Sequence, residues 1–262
     1  DKAEDADLAM REMRKKIGGT VQGFFDYIDG EGVRRAPMGI GLDKLLRQAS
    51  ILDDVEVKLV KQSRNKVKVD KGAYEDTYVH PQTGAISRYI KLFVGEHESI
   101  EDLAATFRHE ALHAMFTRSV FNHEVEKGSG LSEAAREELI ALDNLLARAR
   151  VEYEKETGKK YDWVSFREKP IKSPMYGLAN LDEFISMAMS NREFQNFLFG
   201  FRGTTQGETL LDTIYGRLKR LAVEMLRSIG LFDQMNENGE LTDTMLGEAI
   251  EDVLALTVET EA

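Results

Sequence analysis

Two histidines four residues apart, with a glutamate directly after the first, are the residues of this chain best suited to chemistry. They form the stretch His109-Glu110-Ala111-Leu112-His113, in a segment whose apolar residues recur at helical spacing. Because four residues make just over one helical turn, we expect both imidazole rings to project from the same face. Two neutral imidazoles at this spacing can bind one tetrahedral Zn²⁺, and Glu110 beside them can take a proton from water.

A catalytic zinc ion usually has a third protein ligand and one open position. The residue six positions after His113, where metzincins carry a third histidine, is Ser119, so that pattern is absent. His123 is an alternative ligand ten residues after His113, although its surroundings are more typical of a helix end. Other acids nearby, including Glu137 and Glu138, are expected to be ordinary surface residues.

Glu183 differs from those acids because it lies near the start of a predicted helix with a core-facing side. The apolar residues that follow it are Phe184, Ile185, Met187 and Ala188. An acidic side chain among core-facing apolar residues needs an explanation, and one explanation is that it binds a metal. The other is an interaction with the positive end of the helix dipole, a role that Asp182 fits better.

The composition limits the kind of protein that carries this motif. With 42% hydrophobic and 31% charged residues among 262, it is typical of a soluble globular protein. The net charge of −11 argues against a surface that binds nucleic acid throughout. The absence of cysteine excludes disulfides and thiolate metal sites, such as the HExxH site of peptide deformylases.

The chain shows no obvious targeting segment. No signal peptide is visible, and no apolar run approaches the ~18 residues that a membrane span requires. The sequence begins with Asp1 rather than methionine, which suggests a fragment of a longer protein.

Periodic patterns divide the chain into helical and extended regions. Apolar residues at three- and four-residue steps predict a helix over residues 4–29 and a short helix containing Leu42, Leu45 and Leu46. Between residues 54 and 94 the period becomes two, which predicts a small, mostly antiparallel sheet with a strand at 67–69 and a turn at 80–84. Basic residues from 58 to 71 fit the solvated face of that sheet better than a nucleic-acid patch.

Capping residues mark where the later helices begin. Ser99 precedes the helix that carries the histidines, and Ser132 precedes a long helix that ends near Glu156. Further helices are predicted from about Asn180, from Asn191 to Phe199, and at 242–256. We therefore predict an N-terminal helical segment (1–50), a central α+β domain (51–200) and a C-terminal helical appendage (201–262).

The central region resembles a known family of enzymes. Its Thr106–His113 motif is followed by a long helix and by the segment YGLANLDEFISMAMSNREF, which begins at Tyr176. This order is similar to the zincin-like metallopeptidase domains in large polyvalent proteins of bacteriophages and conjugative elements, over about residues 70 to 230. In that family a glutamate on a later helix is a zinc ligand, and Glu183 is the matching position. The resemblance implies a zincin-like α+β fold and Zn²⁺ bound by His109, His113 and Glu183.

The resemblance also implies a zinc metalloendopeptidase in which Glu110 is the general base. The oxyanion formed during hydrolysis needs a second donor, for which Tyr176 is the candidate and His123 the reserve, although Tyr176 is equally suited to the core. Asp182 is a candidate for orienting a histidine.

The implied substrate is a protein or peptide, which includes the polyprotein that would contain this chain. The expected location is the host cytoplasm or the virion, with no nucleic-acid or membrane partner. Two alternatives stay open. One is an inactive zincin fold that binds protein as a virion or scaffold component, and the other is a helical interaction module with incidental histidines.

Overall fold

A computed structural model describes residues 2–33, 42–43, 46–47, 49–61, 71–79, 86–128, 130–162, 174–201 and 209–228. Over these residues the chain forms seven α-helices and a three-stranded sheet, which confirms the predicted α+β class. The expected strand at 67–69, the turn at 80–84, Leu45 and the helix at 242–256 lie outside them. The chain divides into two compact units, 1–115 and 116–262. The three regions expected from the sequence stay a prediction.

The first unit begins with two helices, not with the single helix predicted over residues 4–29. Helix α1 (Lys2–Ile17) is followed by Gly18 and Gly19, whose φ angles of 64° and 74° lie in the left-handed region that favours glycine. Thr20 then caps helix α2 (Val21–Gly30), since its Oγ1 accepts a hydrogen bond from the Gly23 amide at 3.0 Å. The apolar spacing continues across this break and therefore does not reveal it.

The sheet of this unit is mixed, so the prediction of a mostly antiparallel sheet was wrong. Its strands are β1 (Val55–Val60), β2 (Gly72–Val79) and β3 (Ile86–Phe93), in the order β1-β3-β2. The central strand β3 runs parallel to β1 and antiparallel to β2. Alternating apolar side chains predict a strand and its buried face, but they carry no information about the direction of the neighbouring strand.

Helix α3 (Ile100–Glu124) carries the two histidines, and its first half belongs to this unit. Ser99 caps it as predicted, because its Oγ accepts a hydrogen bond from the Asp102 amide at 3.2 Å. On α2, the ring of Phe24 stacks on Phe107 of α3 with centroids 4.0 Å apart, and Phe25 meets Phe107 edge-on at 5.1 Å. These buried aromatic contacts fix the helix against α2.

The second unit is helical in its described part. After the end of α3 it contains α4 (Glu133–Thr157), α5 (Leu181–Ser190), α6 (Arg192–Phe199) and α7 (Leu210–Ser228). Capping side chains open three of these helices near the predicted positions, namely Ser132, Asn180 and Asn191. None of the helices described in the chain combines the length and the apolar character that a membrane span requires.

Candidate metal centre

Helix α3 brings His109 and His113 together, as their four-residue spacing predicts. The helix is continuous from Ile100 to Glu124, so the two side chains lie one turn apart on one face. Their Nε2 atoms are 3.0 Å apart, and the ring planes meet at 87°. His113 is buried, with 7% of its surface exposed, whereas His109 is half-buried. One of the two rings is therefore reachable from solvent.

The separation of the two nitrogens fits one shared metal ion. Zinc–nitrogen bonds of ~2.0–2.1 Å in a tetrahedron place two ligand nitrogens roughly 3.3 Å apart. Without a metal, the same contact requires one ring to donate an N–H to the lone pair of the other.

Glu110, the residue after His109, is buried, with 6% of its surface exposed. It lies on the side of α3 that faces the start of β2, where Gly72 approaches both Glu110 and Thr106. A carboxylate that is held in place and shielded from bulk water is suited to accept a proton from a water molecule bound nearby.

A buried ion pair holds the turn of α3 that begins the motif. Arg108 donates from Nε to Oδ1 of Asp43 at 2.6 Å and from Nη2 to Oδ2 at 2.9 Å. The side chain of Asp43 is 2% exposed and that of Arg108 is 11% exposed. Two parallel hydrogen bonds between planar groups fix orientation as well as distance. The residue next to the first histidine is therefore held rigidly.

Arg88 on β3 holds the other end of the motif. Its guanidinium donates to the backbone carbonyl of Ala114, the residue after His113, and to that of Ile51 at 2.5 Å. It also donates to the Tyr74 hydroxyl at 3.0 Å and to Asp54 at 2.8 Å. Four hydrogen bonds on one planar cation tie α3 to the sheet. Neither this role of Arg88 nor the role of Asp43 could be recognised from the sequence.

In the second unit, the start of α5 is tied to the last turns of α3. The hydroxyl of Thr117 donates to Oδ2 of Asp182 at 2.9 Å. Asn180 caps α5 by accepting a hydrogen bond from the Glu183 amide at 2.8 Å, and Glu183 itself is half-buried. Both acids thus lie in the first turn, as the sequence predicts, where the helix dipole favours negative charge.

Tyr176 lies just before that turn, on the 3₁₀ helix Pro174–Leu178. It is half-buried, and its carbonyl accepts a hydrogen bond from the Ala179 amide at 2.9 Å. Arg150 of α4 fixes the same segment by donating to the carbonyls of Leu178 and Ala179 at 2.8 and 2.9 Å. The proposed role of Tyr176 as an oxyanion donor stays a prediction.

Two other residues considered as ligands lie away from the histidine pair or in another interaction. His123 lies on the same straight helix as His113, ten residues further on, which is about 15 Å along the axis. Glu138 is not the surface acid expected from the sequence. It is 8% exposed and accepts hydrogen bonds from Arg217 at 3.1 Å and Arg220 at 2.7 Å, which joins α4 to α7.

No protein-family model, curated protein or solved structure matches the chain. The resemblance to zincin-like metallopeptidases therefore depends on the motif residues alone.

Proposed function

We propose that this protein is a zinc-dependent metallopeptidase. One observation carries the proposal: two imidazole Nε2 atoms lie 3.0 Å apart on one helix, and the buried carboxylate of Glu110 follows the first ring. The two imidazoles can bind a metal ion, and a carboxylate next to the first of them is suited to take a proton from metal-bound water. A metal and its bound water supply a reason for all three residues.

Glu183 is the proposed third ligand. Thr117 lies one turn after His113 in α3, and it donates to Asp182, the neighbour of Glu183. We propose that Glu183 completes a donor set with His109 and His113. Two imidazoles and a carboxylate form a common donor set of catalytic zinc.

The residues of this chain divide the chemistry between them. Zinc, when bound, lowers the pKa of a water molecule toward ~7 and polarises a carbonyl group. Glu110 accepts the proton of the attacking water and delivers it to the leaving amine of the peptide. Tyr176 is proposed to donate its hydroxyl hydrogen to the carbonyl oxygen as negative charge develops there. The proposed substrate is a protein or peptide, and a longer polyprotein that contains this chain is one candidate.

Metal analysis and a peptide library test the proposal together. Purified protein should contain or take up about one Zn²⁺ per chain. The zinc-loaded protein should cleave members of a diverse peptide library, with the products identified by mass spectrometry. Glu110→Gln is the matched control, because it should keep the metal and lose turnover by about 10²–10⁴-fold.

The outcomes separate the competing functions. Protein that neither contains zinc nor binds it at micromolar concentration would refute the metal site. Protein that binds zinc but cleaves no peptide would favour the inactive zincin fold. Equal cleavage by the wild type and Glu110→Gln would show that Glu110 is not the general base.

A further inference from the structure

Gly72, the first residue of β2, lies against the proposed general base. It pairs with Leu92 of β3, and its φ angle is outside the left-handed region, so the backbone itself does not require glycine. The limited space around this position does require glycine. A Cβ atom at this position would lie 2.6 Å from Cγ2 of Thr106, 3.0 Å from Cγ of Glu110 and 3.1 Å from its Oε1.

The strand cannot easily move away to make room for a side chain. The carbonyl of Lys71 accepts a hydrogen bond from the Phe93 amide at 3.0 Å. The ammonium group of Lys71 also pairs with Asp102, in the first turn of α3. These contacts on either side of the strand fix the distance between β2 and α3 at Gly72. A new methyl group would therefore displace its neighbours on α3, Thr106 and Glu110.

We propose that Gly72 is a positioning residue for Glu110, which rests on the function proposed above. The bare α-carbon lets the strand close over one side of the carboxylate. The carboxylate is then held between β2 and the metal-binding face of α3. A Cβ at position 72 would push the carboxylate by a few tenths of an ångström while leaving both histidines in place. Misplacement of a catalytic group by 1 Å can lower the rate about 10²-fold, so we expect this smaller shift to lower the rate of peptide cleavage about tenfold.

The experiment separates this positioning role from simple packing. Gly72→Ala is compared with Gly30→Ala, where a Cβ would meet no atom within 4 Å. The double variant Gly72→Ala/Thr106→Ser removes the closest contact, that with Cγ2, but keeps both contacts with Glu110. Each variant is measured for thermal stability, zinc content and the Kd of acetohydroxamate. This probe binds zinc as an anion and passes its proton to a neighbouring base.

Zinc content should stay at the wild-type level in Gly72→Ala, while the Kd of acetohydroxamate should rise about tenfold. Gly72→Ala should lose thermal stability because its Cβ would meet Cγ2 of Thr106 at 2.6 Å, and the double variant should recover that stability. The affinity should not recover, because the contacts with Glu110 remain. In a Glu110→Gln background, Gly72→Ala should cause no further loss of affinity, since its effect passes through that carboxylate. Gly30→Ala should match the wild type in all three measurements.

Wild-type affinity in a zinc-loaded Gly72→Ala protein would overturn the proposal and leave the proposed function intact. So would an equal loss in the Glu110→Gln background, or affinity that recovers together with stability in the double variant. If Gly72→Ala does not fold, the Kd of acetohydroxamate in the zinc-loaded double variant alone tests the proposal. A wild type that binds no zinc would refute the proposed function, and the role of Gly72 with it.

Discussion

Asp43→Asn tests how firmly the turn of α3 that carries His109 is held. The substitution keeps the size of the side chain but removes the charge that pairs with Arg108. It also places an amide N–H where the guanidinium donates. Because Asp43 is 2% exposed and Arg108 11% exposed, little water can replace the lost partner. Breaking a buried pair in this way costs about 3–5 kcal/mol, and the small residual exposure of Arg108 favours the lower end, ~3 kcal/mol.

A loss of ~3 kcal/mol should lower Tm by roughly 6–12 °C in a chain of this size. The assays are thermal and urea denaturation of metal-free protein, both monitored by circular dichroism, with Asp53→Asn as the control at an exposed aspartate of the same unit. A double variant, Asp43→Leu with Arg108→Met, should recover most of the loss because no charge stays buried. A change below ~1 kcal/mol in Asp43→Asn would refute the argument, since exposed ion pairs typically contribute that little.

Three further results are expected. Glu183→Ala should weaken zinc binding strongly by removing a ligand charge, whereas calorimetric titration of Glu137→Ala and His123→Ala should give nearly wild-type affinity. Burial lowers the pKa of His97 against the opposing effect of Asp102, so the folded protein favours the neutral ring. Its contribution to stability should be complete above about pH 6.5 and decline as the pH falls below that value. Denaturation at about pH 7.5 and 5.5 should show a smaller acid loss in His97→Gln than in the wild type. Removal of zinc with a chelator should lower Tm but leave the far-ultraviolet spectrum unchanged, and loss of the helical signal would contradict a metal-independent fold.

The sequence predicts the helices well wherever their start is decided locally. A cap such as Ser99 or Ser132 acts within one turn of chain, so its effect is visible in a short stretch of sequence. The prediction from apolar spacing, in contrast, failed at Gly18 and Gly19. There the apolar spacing continued, and two left-handed glycines overrode it. For the sheet, alternation predicted the strands β1 and β3 but could not predict that they pair in parallel, because pairing depends on residues far apart in sequence.

In the candidate site, too, the relations set by local sequence could be predicted and those set by distant residues could not. The two histidines and Glu110 could be predicted because one helical turn determines their relation. The role of Asp43 could not be predicted, because Asp43 contacts Arg108 across 65 residues of sequence. Neither local sequence pattern indicates which residue is the partner. Gly72 and Arg88 were missed for the same reason. A glycine that opens a strand, or an arginine inside one, is a weak signal until the helix beside it is known.

The residues that the sequence did not reveal surround the motif on α3. Asp43 holds Arg108 just before the first histidine, Gly72 closes over Glu110, and Arg88 binds the carbonyl of Ala114 just after the second. Contacts before, within and after the motif hold α3 in one position against the sheet. If the motif binds the proposed zinc ion, the cost of ordering the two imidazoles is met during folding, which would favour tight binding by a small ligand set. The same rigidity keeps Glu110 in one place relative to the ring nitrogens, as proton transfer requires.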